Sequence, residues 1–177
     1  MATRIPSLLS AALIGMLGLS ACASLSSVKE LRGQISQIFD QLKGHDERIT
    51  NAEKNIIELT LSDDTLFKTN SAVLSETASV QLKKIIKVLD DHPGVYLQVA
   101  GYTDNTGSEE HNIKLSKARA DAVAQAIIGS GFPADHITTV GHGESQPIAS
   151  NNSEEGRGLN RRVTISIAER KEDLPAA

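Results

Sequence analysis

Apolar residues in the first third of the chain recur every seven positions. The first series of this repeat comprises Val28, Ile35, Leu42, Ile49 and Ile56. A second series, three positions further along, comprises Leu31, Ile38, His45, Ala52 and Leu59. The spacing predicts a helical stalk over residues 22–57, either a coiled coil or a single amphipathic helix that packs on the domain or on a partner. The coiled-coil interpretation implies a homo-oligomer formed through residues 25–57.

Beyond this repeat, residues 58–168 alternate between strand and helix patterns. Amphipathic spacing predicts helices over 75–91 and 108–131, and each opens with a serine typical of an N-cap, Ser75 and Ser108. Alternating or β-branched runs predict strands at 59–61, 95–103, 136–140 and 162–168. The order predicts an α+β domain, β-α-β-α-β with a final strand, in which a mixed sheet carries the helices on one face. A disordered tail is predicted for residues 169–177.

One position of the second helix interrupts its apolar stripe. The stripe consists of residues four apart, namely Leu115, Arg119, Val123 and Ile127, so a guanidinium stands where an aliphatic side chain is expected. Removing a charge from water is costly unless a partner compensates for it. We therefore expect either a protein carboxylate or an acidic ligand group to meet Arg119, unless its long side chain reaches the helix edge.

The N-terminus predicts export and lipidation. A largely apolar run from Leu8 to Leu19 is shorter than the about 20 residues that span a bilayer, which is typical of a signal peptide over residues 1–21. The run ends in LSAC, which resembles a bacterial lipobox, so Cys22 is expected to be lipidated, palmitate included. No aspartate follows Cys22. In lipoproteins of this type, that pattern implies the periplasmic face of the outer membrane.

Charge and composition exclude several function classes. Acidic side chains number 22 against 18 basic ones, and only 3% of residues are aromatic, so no nucleic-acid surface is indicated. Cys22 is the single cysteine, and once lipidated it leaves no thiol for a disulfide, a metal site or a nucleophile. The histidines lack metal-site spacing and no G-x-S-x-G elbow occurs. The sequence therefore predicts no enzyme, no cofactor and no metal site.

Five spaced motifs in the second half of the chain resemble those of the OmpA-like, or peptidoglycan-associated, domain family. In chain order they are LFxxNSxxL at 66–74, GYTDNxG at 101–107, LSxxRAxxV at 115–123, GxGExxP at 141–147 and NRRV at 160–163. The resemblance covers about residues 58–168. It implies non-covalent binding of the diaminopimelate side arm of peptidoglycan stem peptides, and thereby a tether between the outer membrane and the cell wall.

The resemblance also assigns residues to the ligand. By motif position, Asp104 meets the ligand ammonium and Arg119 its carboxylate. Asn70 and Arg161 line the same pocket, whereas the adjacent Arg162 faces away from it. A zwitterionic centre needs one anion and one cation held close together, and arginine binds carboxylates bidentately. Two alternatives stay open: Asp104 and Arg119 pair only with each other, or the stalk makes the chain a protein–protein adaptor of the envelope.

Overall fold

Five strands of the described residues form one mixed sheet. The computed structural model describes residues 30–34, 48–52, 56–68, 71–92 and 94–176. The strands are β1 (Arg48–Ala52), β2 (Ile56–Ser62), β3 (Tyr96–Tyr102), β4 (Ile137–Gly141) and β5 (Arg162–Ala168). Their order across the sheet is β1-β2-β5-β3-β4, in which β3 and β4 are parallel and the other neighbours are antiparallel.

The connections between the strands contain helices that begin at serine caps. The helices are α1 (Asp63–Leu66), α2 (Glu76–Asp90), α3 (Glu109–Ile128) and α4 (Glu154–Asn160). Ser75 accepts a hydrogen bond from the Ala78 amide at 2.9 Å, and Ser108 accepts one from the His111 amide at 3.3 Å. Both predicted N-caps are therefore confirmed. Ser153 caps α4, a short helix that the sequence analysis does not predict.

One face of the sheet is aliphatic and packs against α2 and α3. Alternate strand residues are buried on this face, namely Ile57, Leu59, Leu61, Leu97, Val99, Val163, Ile165 and Ile167. They share a core with helix residues that include Leu82, Ile85, Leu89, Val123 and Ile127. The opposite face is polar, with Glu58, Gln98 and Thr164 among its side chains. The predicted α+β class and mixed sheet are therefore confirmed.

The segment before the domain differs from the predicted stalk. Residues 48–52 form β1 and residues 56–57 open β2, so the helical prediction is wrong at these positions. The β-branched residues Ile49, Thr50 and Ile56 favour a strand, and pairing within the sheet overrides an apolar repeat that also fits a helix.

Other parts of the N-terminal predictions have different outcomes. Residues 30–34 are helical and Leu31 is buried in the domain core, as expected for a helix that packs on the domain. The signal peptide, Cys22 and half of the heptad positions lie outside the described residues, so lipidation and a coiled coil stay predictions. No helix in the described part of the chain is long and apolar enough to span a membrane.

The C-terminal tail is ordered against the sheet. A 3-10 turn spans Lys171–Asp173, and the Gln98 side chain donates a hydrogen bond to the carbonyl oxygen of Pro175 at 2.8 Å. Arg170 is paired with Asp173 at 2.6 Å. The prediction of a disordered tail is therefore wrong for residues 169–176. The charged composition suggests solvation, but the polar face of the sheet gives this segment a hydrogen-bonding partner.

Candidate functional site

A cleft of about 440 Å³ lies at the edge of the sheet where β2 and β3 end and β5 begins. Because β5 is antiparallel to both neighbours, its start lies beside their ends, and three chain segments meet there with α3. The lining residues are Asp63, Asp64, Phe67, Lys68, Thr103, Asp104, Thr106, His111, Asn112, Leu115, Arg119, Glu154, Arg157 and Arg161. No cluster of three or more His, Cys, Asp or Glu side chains in the described residues is arranged to hold a metal ion.

Asp104 follows the end of β3 and is held as a carboxylate. Its Oδ1 accepts a hydrogen bond from the Thr106 amide at 2.8 Å, which closes a tight turn. Its Oδ2 accepts one from Arg161 Nη1 at 2.9 Å. Burial acts to raise the pKa of Asp104, but the hydrogen bonds from Arg161 and Thr106 outweigh it, and the pKa lies below its ordinary value. The side chain is therefore anionic at neutral pH.

Arg161 lies between α4 and β5 and bridges several carboxylates. Besides Asp104, its guanidinium contacts Glu154 at 3.1 Å and Asp64 at 3.4 Å. Burial acts to lower its pKa, but the hydrogen bonds to Asp104, Asp64 and Glu154 raise it above the ordinary arginine value. The side chain is 23% exposed, so part of the guanidinium is accessible from the cleft.

Arg119 projects from α3 into the floor of the cleft. Its Nη2 lies 2.7 Å from Asp63 Oδ2, and its Nε donates a hydrogen bond to the carbonyl oxygen of Ser71 at 3.2 Å. The guanidinium carbon also lies 5.4 Å from the centre of the Phe67 ring, within cation–π range. The residue is 4% exposed, so it does not reach out along the helix edge. The expectation that an acidic group meets Arg119 is confirmed, and that group is Asp63.

Asp63 is the principal site residue that the sequence analysis missed. It is the first residue of α1, directly after β2, and its amide donates a hydrogen bond to the carbonyl oxygen of Arg161 at 3.0 Å. Its Oδ1 is buried without a hydrogen-bond partner among the described residues. Burial raises the pKa of Asp63 to about 6, against the opposing effect of Arg119. An acidic residue immediately after a strand is the one local signal for this role.

Two glycines bring α3 close enough to the sheet for Arg119 to reach the cleft. A Cβ atom on Gly101 of β3 would overlap the carbonyl group of Ser116, and one on Gly141 of β4 would overlap the Lys117 backbone. Any larger residue would push the helix away from the strands. Ser116 also links α3 to the loop after β4, because its hydroxyl accepts a hydrogen bond from the Gly143 amide at 2.9 Å.

Three of the four predicted ligand-binding residues meet in this cleft. Asp104, Arg119 and Arg161 all line it, whereas Asn70 lies outside the described residues. Asp104 and Arg119 are not partners of each other, because Asp104 pairs with Arg161 and Arg119 pairs with Asp63. The alternative of a simple bridge between Asp104 and Arg119 is therefore wrong.

The adjacent arginine faces the other side of the sheet, as predicted. The Arg162 guanidinium stacks on the Tyr102 ring at 3.7 Å and donates a hydrogen bond to the carbonyl oxygen of Gln146 at 3.0 Å. Two consecutive arginines therefore have different roles, one in the cleft and one holding the loop after β4.

The cleft thus presents two acid–base pairs, one of them partly accessible, to any ligand that enters. Such an arrangement suits a small group that carries both charges, because each ligand charge meets an opposite charge in the cleft. The five motifs and this fold are those of one family, and the model of the OmpA family matches residues 66–161. The chain belongs to the OmpA family.

Similar proteins include a probable lipoprotein and a peptidoglycan-binding protein. The probable lipoprotein YiaD of Escherichia coli is 38% identical over 135 residues, which is 76% of this chain and 61% of YiaD. The peptidoglycan-binding protein ArfA of Mycobacterium tuberculosis is 48% identical over 86 residues, which is 49% of this chain and 26% of ArfA. This chain therefore matches less than two thirds of either relative.

The similarity extends to solved structures. The cell wall anchor of the T6SS from Pseudomonas aeruginosa superimposes with a TM-score of 0.67 at 27% identity, over 78% of this chain and 96% of that one. The stretch matched by the OmpA family model contains Asp104, Arg119 and Arg161, but it begins after Asp63. The partner of Arg119 thus lies just before the matched residues.

Proposed function

We propose that this chain binds the diaminopimelate side arm of peptidoglycan stem peptides in the cleft, and that it tethers the outer membrane to the cell wall. The observation that carries the proposal is the convergence of Asp104, Arg119 and Arg161 on one cleft. Membership of the OmpA family supports it, together with relatives described as peptidoglycan-binding and as a cell wall anchor.

The charges of the cleft match the end of a diaminopimelate side arm, where one carbon carries an ammonium and a carboxylate. The ammonium approaches Asp104, whose carboxylate is ionised and 11% exposed. The carboxylate approaches Arg119, assisted by Arg161 on the accessible side of the cleft. Each ligand charge meets an opposite charge of the cleft, and charge-assisted hydrogen bonds contribute about 1.5–3 kcal/mol each.

Two or three such contacts, less the cost of association, correspond to a dissociation constant in the micromolar to millimolar range. Weak binding of this kind suits a polymer that offers many copies of one ligand. Several domains held at the same membrane surface gain from effective concentration, although each single contact is short-lived. A tether of this type withstands load while it allows the wall to be remodelled.

Co-sedimentation with purified diaminopimelate-type cell wall tests the proposal. We expect the protein to sediment with the wall and Asp104→Asn to stay in the supernatant. Asp121→Asn is the matched control, because Asp121 pairs with Lys117 on the exposed side of α3, outside the cleft. Equal sedimentation of Asp104→Asn and the control would contradict the assigned site. Release of soluble wall fragments by the wild-type protein would instead indicate a hydrolase, which this proposal excludes.

The membrane end of the tether is proposed from the sequence and from the name of one relative. Residues 1–21 act as a signal peptide and Cys22 carries the lipid, in line with the description of YiaD as a probable lipoprotein. Replacing Cys22→Ala is expected to move the protein from the outer-membrane fraction to the soluble periplasmic fraction. Retention of the variant in the membrane fraction, with an unmodified mass in the wild type, would contradict lipid anchoring.

A further inference from the structure

Arg119 already has a carboxylate partner before any ligand arrives. Asp63 Oδ2 lies 2.7 Å from Arg119 Nη2, and both side chains are 5% exposed. Bidentate binding of a ligand carboxylate by both Nη groups of Arg119 requires the Nη2 atom that Asp63 occupies. A ligand carboxylate that approaches Arg119 from the cleft therefore meets a guanidinium whose strongest interaction is made within the protein.

The buried carboxylate of Asp63 receives too few hydrogen bonds to replace the water that it has lost. Its Oδ1 has no hydrogen-bond partner among the described residues. Thr103, which lines the same cleft, has a buried Oγ1 that also has no hydrogen-bond partner there. A buried carboxylate oxygen without a donor costs free energy, and gaining a proton removes that cost. The local geometry thus favours a carboxyl group that gives up its charge readily.

We propose that Asp63 is an internal competitor of the ligand carboxylate for Arg119, and that protonation of Asp63 releases Arg119 for binding. The identity of the ligand rests on the function proposed above, whereas the competition itself is a property of the Asp63–Arg119 pair. Wall binding is then stronger in a mildly acidic periplasm than in a neutral one.

The charged groups around Asp63 come from every segment that packs against it. Arg119 of α3 and Arg161 before β5 stabilise its anionic form, while Asp64 on its own helix and Asp104 after β3 oppose it. Burial is the largest influence and places the pKa of Asp63 at about 6. Arg119 stays charged throughout, although burial lowers its pKa below the ordinary arginine value. Asp63 is therefore the member of the pair that titrates.

This pKa sets an upper limit to the effect. With a pKa of about 6, roughly 3% of Asp63 is protonated at pH 7.5 and roughly 90% at pH 5. If the ligand binds only the protonated form, its apparent affinity scales with that fraction, which gives a change of about 30-fold between the two pH values. A ligand that also binds the ionised form shows a smaller change in the same direction.

The chain offers a matched control in the neighbouring acid. Asp64 carries the same charge and lines the same cleft, but its side chain is 68% exposed and contacts Arg161 rather than Arg119. At pH 7.5 Asp63→Asn and Asp64→Asn change the net charge of the cleft nearly equally, and only the former removes the competitor. His111 also lines the cleft, so the comparison is made in a His111→Gln background.

The test is a titration of the full chain with a diaminopimelate-containing stem peptide at pH 5 and pH 7.5. We expect the wild type to bind up to about 30-fold more tightly at pH 5. Asp63→Asn is expected to bind at pH 7.5 as tightly as the wild type does at pH 5, and Asp64→Asn is expected to keep the wild-type pH dependence. Weaker binding by Asp63→Asn with an intact fold would overturn the proposal, because Asp63 would then orient Arg119 rather than compete for it.

A measurement without ligand separates this inference from the proposed function. The carboxyl carbon resonance of Asp63 and the Nε–H resonance of Arg119 are followed by NMR as the pH falls. We expect both to shift with one midpoint near pH 6, whether or not the stem peptide binds. An Asp63 midpoint near pH 4, or an Arg119 signal that does not respond, would overturn the competition. If both resonances share a midpoint near pH 6 but the stem peptide does not bind, the proposed ligand is wrong and the competition between Asp63 and a carboxylate for Arg119 stands.

Discussion

The two acid–base pairs of the cleft consist of the same residue types, yet they differ in nearly every physical property. Asp63 and Arg119 are each 5% exposed, whereas Asp104 and Arg161 are 11% and 23% exposed. Burial raises the pKa of Asp63 to about 6. Burial also acts on Asp104, but hydrogen bonds from Arg161 and Thr106 prevail and lower its pKa.

The comparison shows that a nearby arginine does not by itself keep a carboxylate charged. Asp104 has donors on both oxygens, one from Arg161 and one from a backbone amide. Asp63 has a close arginine on one oxygen and no hydrogen bond on the other. The number of hydrogen bonds to the anion, set against its loss of hydration, decides the protonation state. The Asp104–Arg161 pair therefore stays charged near neutral pH, whereas Asp63 in the other pair gains or loses a proton.

The largest effect is expected from breaking the buried pair. Arg119→Ala leaves the Asp63 carboxylate buried without its cation, and we expect the free energy of unfolding at pH 7.5 to fall by about 3–5 kcal/mol. Urea unfolding followed by circular dichroism measures the change. Adding Asp63→Asn to the variant is expected to restore part of the loss, and no restoration would show that the cost lies in packing against Phe67 rather than in charge.

The pH dependence of stability is expected to reveal the same pair. The pKa of Asp63 is higher in the folded protein, about 6 against 3.8, so the folded state binds the proton more tightly. Its contribution to stability is complete below about pH 4 and is lost as the pH rises toward 6, by at most about 3 kcal/mol. Subtracting the profile of Asp63→Asn from that of the wild type isolates this contribution. A difference that grows with pH instead would mean that Asp63 is stabilised as an anion.

A smaller loss is expected from the partly exposed pair. Arg161→Ala removes a charge-assisted hydrogen bond from Asp104, but the Thr106 amide and water remain, so we expect a loss of about 1 kcal/mol. The sign with pH is opposite to that of Asp63: the pKa of Asp104 is lowered in the folded protein, so this contribution is present near neutrality and disappears as the pH falls below about 4. A loss equal to that of Arg119→Ala would erase the distinction between the pairs.

The smallest effect concerns salt. Raising the ionic strength from about 0.1 M to about 1 M shortens the screening length from about 10 Å to about 3 Å. We expect the cost of Arg161→Ala to shrink by a few tenths of a kcal/mol, since this pair faces water. The cost of Arg119→Ala is expected to stay unchanged because its pair is buried. Equal sensitivity of both variants to salt would indicate that the floor of the cleft is hydrated.

Local sequence patterns predict most of the helices and strands of the domain, because helix caps and strand alternation depend on interactions within a few residues. Serines at the starts of α2 and α3 act as caps, and β5 spans the residues that its alternation indicates. β1 and the tail are predicted wrongly for a common reason. Both are stabilised by pairing with distant strands, and neither a seven-residue repeat nor a charged composition reports on such contacts.

The site is predicted only in part, because it too depends on contacts between distant parts of the chain. A cation in an apolar helix stripe indicates that Arg119 needs an acidic partner, but not which one. Asp63 lies 56 residues earlier in the chain and reaches Arg119 only because β2 ends beside the start of β5. The family motifs identify Asp104 and Arg161, but Asp63 precedes the residues that the family model matches. Its role follows from topology and burial, and its position directly after a strand is the one local sign of it.

The most direct test of the account compares two stem peptides that differ in one group. A diaminopimelate-containing peptide carries the additional carboxylate that Arg119 is proposed to bind, and its lysine analogue lacks that carboxylate. Calorimetric titration of the purified protein is expected to show about tenfold or greater preference for the diaminopimelate peptide, which corresponds to at least 1.4 kcal/mol for the added contact. Equal affinities for the two peptides would contradict the role of Arg119 and, with it, the proposed recognition of the zwitterionic side arm.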